Sequence, residues 1–110
     1  AIEEGTIYFD YDKYDLSASA ILEIRELANA MKSNLSARVR IEGHCDERGT
    51  REYNLALGEK RANAVSELLR VNGVASSKLT TVSYGEEKPV AYGSNEAAWG
   101  KNRRAEIKVL

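Results

Sequence analysis

The chain is poor in the residues that most often announce chemistry. Its 110 residues include one cysteine, one histidine, one proline and one tryptophan. One cysteine forbids an internal disulfide and leaves the redox compartment open. It also undercuts a zinc site: His44, Cys45 and Asp46 are consecutive, and no second His or Cys exists to complete a spaced, convergent ligand set. A basic excess is missing too, since 16 Lys and Arg face 17 Asp and Glu for a net charge of −1. General attraction to nucleic acid or to an anionic membrane is therefore not expected. No apolar run approaches the roughly 20 residues of a membrane-spanning helix. The first residue is not Met and no signal peptide is visible, as expected of a trimmed mature domain whose targeting segment is gone.

What is present is ordinary for a folded domain: 43% hydrophobic and 30% charged residues. That composition argues for a soluble globular chain with one core, too short for two. A polar segment, residues 1–5, is expected to fray, with residues 6–110 forming the domain. Thr6 to Phe9 alternates and predicts a strand. Ser17 or Ser19 caps a helix whose stripe is Ile21, Ile24, Ala28 and Met31, with Leu27 widening it. Val39 and Ile41 alternate with charged neighbours in a second strand. A long helix follows from about Thr50 to Val71, with Leu55, Ala62, Val65 and Leu69 inward and Gly73 as its stop. Thr80 to Gly85 predicts a third strand, Asn95 to Trp99 a helical turn, and Ala105, Ile107 and Val109 a last strand. The order predicts an α+β fold: a four-stranded mixed sheet with two long helices on one face, in βαβαββ order.

The stretch Ile41 to Ala62 organises the rest: a strand that stops, a charged loop between Gly43 and Gly49, and a helix start. Several chemistries fail there. Adjacent Cys45 and His44 point to opposite faces if strand geometry persists, whereas a nucleophile and its base must converge. The glycine spacing is wrong for a phosphate loop, and no Lys follows Gly49. Asn102-Arg103-Arg104 is a short basic patch on a neutral domain, usually a solvated strand start or an internal ion pair. Two readings stay open for Asp46 and Arg61. They could bind a small zwitterion, the acid taking an ammonium and the arginine a carboxylate, with amides near Tyr11 and Asp12 holding a second carboxylate. Or they form a plain salt bridge. Arg61 also lies roughly 16 Å down an ideal helix from Thr50, so the two converge only if the loop folds back along the helix.

The text Gly43-His44-Cys45-Asp46-Glu47-Arg48-Gly49-Thr50, continuing through Tyr53-Asn54, Leu57-Gly58 and Arg61-Ala62, resembles the OmpA-like peptidoglycan-binding family. Tyr8 to Asp15, Ser83 to Pro89 and Lys101 to Ala105 resemble it too, so the likeness covers nearly the whole chain. The resemblance implies a non-catalytic periplasmic domain, without cofactor or metal, that grips the meso-diaminopimelate of peptidoglycan stem peptides. By that resemblance Asp46 meets the ligand amine and Arg61 a carboxylate. Tyr11 and Asp12 carry the amides for the other carboxylate, and Asn54, Leu57, Arg103 and Arg104 line or brace the pocket. Cys45 stands where relatives often carry Thr. The resemblance further implies TolB and other Tol–Pal components as partners, a role in envelope integrity and cell division, and an N-terminal lipid anchor to the outer membrane that this chain does not contain. Two other classes stand beside it: a protein-interaction module for which wall binding is incidental, and a wall-cleaving enzyme, which would need paired acids or a metal centre that the sequence does not supply.

Overall fold

The computed structural model describes residues 2–110. Its elements are β1 (Gly5–Tyr8), α1 (Ala18–Lys32), β2 (Val39–His44), α2 (Arg51–Val71), a 3₁₀ turn (Ser76–Lys78), β3 (Leu79–Gly85), α3 (Glu96–Asn102) and β4 (Arg104–Val109). The sheet order is β1-β4-β2-β3. β2 and β3 run parallel, while β4 is antiparallel to both β1 and β2. The α+β class and the mixed four-stranded sheet are thus as the sequence implied. The carboxyl ends of β1, β2 and β3 fall at one end of the sheet, beside the start of β4.

The helix boundaries follow from local chemistry. Ser17 caps α1, its hydroxyl accepting the Ala20 N–H at 3.1 Å. Thr50 caps α2 by accepting from Tyr53 N–H, with Glu52 in the first turn where the helix dipole favours negative charge. At the far end Gly73, with φ of 100°, donates to Arg70 O and Val74 donates to Leu69 O. This double closure satisfies carbonyls the helix leaves open.

The core lies between the helices and one face of the sheet. Ile24, Met31, Val39, Ile41, Val65 and Leu69 are fully buried, each contributing roughly 1.5–3 kcal/mol of apolar burial. The α1 stripe begins at Ala20, with Ile21 only half-buried. In α2 the expected Leu55 is half-buried, and Asn54 and Arg61 point inward beside Leu57. Polar residues therefore occupy part of the inner face near the start of α2, where an apolar stripe was expected. Val109 is exposed at the end of β4. Of the segment expected to fray, Ala1 lies outside the described residues. The rest is held: Ile2 packs on the core, Glu4 accepts the Val109 N–H at 2.9 Å, and Gly5 already pairs with Ile107.

Candidate functional site

At the carboxyl end of β2 the chain leaves the sheet and folds back along α2. Asn54 fixes that path. Its side-chain N–H₂ donates to Arg48 O at 3.0 Å and to Glu86 Oε1 at 2.8 Å, with Asp46 O at 3.4 Å. A small cleft of about 50 Å³ results, lined by Tyr11, Asp12, Cys45, Asp46, Arg48, Gly49, Tyr53, Asn54, Leu57 and Arg61. The fold thus brings Asp46 and Arg61 to one cleft together with Tyr11, Asp12, Asn54 and Leu57. Helical side chains lean toward the helix N-terminus, which shortens the reach that the sequence left in question.

Asp46 is 4% exposed. Burial alone would raise its carboxyl, but the side chain and backbone N–H of Arg48 and the charges of Arg48 and Arg103 outweigh that, and it is held below the usual carboxylate range. Arg103 Nη1 lies 3.5 Å from Asp46 Oδ2, its Nε donates to Phe9 O, and it also pairs with Glu96. It braces the cleft from behind.

Arg61 does not pair with Asp46. It is 1% exposed and donates to three backbone carbonyls: Nε to Lys13 O at 2.9 Å, Nη1 to His44 O at 2.9 Å and Nη2 to Asp10 O at 3.1 Å. Among the described residues no acidic side chain contacts it. The plain Asp46–Arg61 salt bridge is therefore not formed. One N–H on each of Nη1 and Nη2 is left beyond those carbonyl bonds. Arg61 also ties the loop after β1 to the end of β2, a structural duty that its place in a helix did not reveal.

The loop after β1 closes the other side. Asp12 has φ of 56°, the left-handed turn found in anion-binding backbone nests. Its carboxylate accepts from the Tyr53 hydroxyl. Among the described residues neither the Tyr11 nor the Asp12 N–H has an intramolecular partner. Arg104 lies elsewhere. It is 3% exposed, pairs with Glu106 and donates to the Asn102 and Lys88 carbonyls on the polar side of the sheet. The structure does not bring it to the cleft.

Sequence reasoning missed Arg48 and Trp99, although Arg48 Nη2 meets Asp46 Oδ2 at 2.8 Å and its guanidinium lies 3.9 Å from the Trp99 ring centre. Only the short Asp46–Arg48 separation hinted at the first. The Cys45 and His44 side chains diverge, as strand alternation implied. Cys45 Sγ donates to Asn54 O at 3.3 Å, and burial pushes its thiol up to about 11. His44, buried on the far face beside Glu42, Glu106 and Tyr84, is pushed down to about 4 by burial and by the Arg104 charge. No nucleophile–base pair forms between them. Among the described residues no group of three possible metal ligands occurs.

The OmpA family sequence pattern matches residues 8–103. The chain belongs to the OmpA family. A peptidoglycan-associated lipoprotein of Pseudomonas putida is 50% identical over 103 residues, covering 94% of this chain and 61% of that protein. Its counterpart from Haemophilus influenzae is 50% identical over 101 residues, covering 92% of this chain and 66% of that protein. The crystal structure of the peptidoglycan-associated lipoprotein from Burkholderia pseudomallei superposes with a TM-score of 0.94 at 44% identity, covering 96% of this chain and 89% of that one. This OmpA-family chain thus spans about three fifths to two thirds of the length of the curated relatives it matches.

Proposed function

We propose that this OmpA-family domain binds peptidoglycan non-covalently, through the meso-diaminopimelate of the stem peptide. The carrying observation is Asp46: a carboxylate nearly withdrawn from solvent, yet held ionised, in a cleft that also presents spare N–H donors. In this reading Asp46 takes the ligand ammonium. The remaining Arg61 N–H groups and the Tyr11 and Asp12 amides take carboxylates, and Leu57 covers the aliphatic chain. Asn54 and Arg103 keep the cleft walls in place, while Arg104 acts at a distance as a strut for the Lys88 loop. The names of the relatives support a wall ligand, and the divergence of Cys45 and His44 supports binding without catalysis.

Charge-assisted hydrogen bonds contribute roughly 1.5–3 kcal/mol each, less the ordering cost of association. Many copies on one polymer, each with an outer-membrane lipid anchor upstream, would turn modest contacts into firm attachment of membrane to wall. The same reading places the domain at the periplasmic face of the outer membrane. There TolB and other Tol–Pal components are its protein partners, in envelope integrity and cell division.

The test is co-sedimentation with purified sacculi. Wild-type domain should pellet and be released by free meso-diaminopimelate, while Asp46→Ala should stay in the supernatant. Asp46→Ala pelleting as wild type does would overturn the site. Pelleting that free meso-diaminopimelate leaves untouched would overturn the ligand.

A further inference from the structure

The Asp46 carboxylate is already satisfied by a cation belonging to the protein. Arg48 brings Nη2 to 2.8 Å from Oδ2 and Nε to 3.2 Å from Oδ1, and its backbone N–H reaches Oδ1 at 3.0 Å. The guanidinium carbon lies 4.0 Å from the Tyr11 ring centre and 3.9 Å from that of Trp99. The Trp99 indole N–H donates to Glu47 at 3.0 Å, which steadies that ring. A planar cation is therefore clamped between two aromatic faces and an acid, the arrangement by which aromatic cages select cations.

The three arginines near the cleft differ in how they are held. Arg61 and Arg103 donate to backbone carbonyls and are buried. The Arg48 side chain is 30% exposed, and its hydrogen bonds go only to Asp46. Of the three it alone can leave without stranding a buried carbonyl. While it stays, Oδ1 carries two of its bonds and Oδ2 one, with Arg103 Nη1 3.5 Å from Oδ2, so an incoming ammonium must compete with positive charge already in place.

We propose that Arg48 is an intramolecular competitor. It fills a cation subsite built by Asp46, Tyr11 and Trp99, and swings out when the ammonium of the ligand enters. This rests on the reading of Asp46 as the ammonium partner. Apparent affinity is then the intrinsic affinity reduced by the fraction of molecules whose subsite stands open. Amines unable to displace a stacked, doubly bonded guanidinium are rejected, so Arg48 sets specificity without having to touch the ligand.

The experiment titrates the folded domain with a soluble muropeptide ending in meso-diaminopimelate, followed by calorimetry and by Trp99 emission. Trp99 is the sole tryptophan, so its signal reports the guanidinium leaving. Arg48→Gln should bind about tenfold more tightly than wild type, with Arg48→Lys in between. Ligand should shift wild-type emission toward that of free Arg48→Gln. The proposal is overturned if both variants bind equally or more weakly while folded by circular dichroism, or if ligand leaves wild-type emission unchanged. If Arg48→Gln does not fold, Arg48→Lys alone decides. Asp46→Ala separates the two readings. Undiminished binding by that variant removes the Asp46 assignment itself, whereas its loss without tightening in the Arg48 variants removes only the competitor.

Discussion

Gly43 and Gly58 meet backbone to backbone: a Cβ on Gly43 would lie 1.7 Å from the Gly58 carbonyl oxygen. This contact lets α2 press onto β2. Gly43→Ala must lift the helix, and the expected cost is about 3 kcal/mol, at the upper end for overpacking. A Cβ on Gly58 would chiefly meet Ser83 Oγ, at 2.2 Å, a side chain that can rotate away. Gly58→Ala is expected to cost less. Urea unfolding of both variants checks the order, and equal midpoints would refute it.

Arg61→Ala should unfold more easily than wild type. It takes a donor from the carbonyls of Asp10, Lys13 and His44; Asp10 O keeps the Lys13 N–H at 3.2 Å, while no other side chain reaches Lys13 O or His44 O among the described residues. At roughly 1–3 kcal/mol for each unsatisfied buried group, less what water recovers, the expected loss is about 2–4 kcal/mol. Arg61→Lys recovers only part, because a single ammonium cannot serve three diverging acceptors. Thermal melts measure this. An Arg61→Ala protein as stable as wild type would mean the guanidinium serves the ligand alone.

Cys45 should be inert to iodoacetamide at pH 8 in the native protein and fully labelled in urea. Burial pushes its thiol up to about 11, and the side chain is 4% exposed. The thiolate is the nucleophile, so little is available at that pH. Mass spectrometry distinguishes the outcomes; rapid native labelling would show that the loop opens readily.

Stability should fall as pH drops from about 6.5 to about 4, in part through His44. Its folded value is depressed to about 4 from the ordinary 6.5, so the unfolded chain takes up a proton that the folded one refuses. The expected contribution is about 3 kcal/mol across that window, lost toward acid. His44→Phe, which keeps an aromatic ring against Tyr84, removes this term. Unfolding free energies at pH 7 and pH 4.5 should then differ less in the variant than in wild type. An identical pH dependence would refute the assignment.

The sequence was legible where one local rule governs. Ser17 and Thr50 cap helices, Gly73 stops one, and period-two and period-3.6 patterns gave the element order. It misled where tertiary contacts decide. Arg61 looks like a free cation on a helix, because the three carbonyls that claim it come from the loop after β1 and the end of β2, both distant in sequence. Arg104, which the resemblance put beside the pocket with Arg103, instead points to the polar side of the sheet, where it pairs with Glu106. Asp46 and Arg48 are near in sequence, but the two rings that clamp Arg48 lie far apart along the chain. No periodicity brings Tyr11 and Trp99 together; the pairing of β1 with β4 does.

That pairing also sets how the domain bears load. The amino end enters at one end of β1, and the cleft lies past the other. A pull applied at the amino end and resisted in the cleft therefore runs along the strand. The four residue pairs between β1 and β4 then resist in shear, all together, instead of opening one at a time like a zipper.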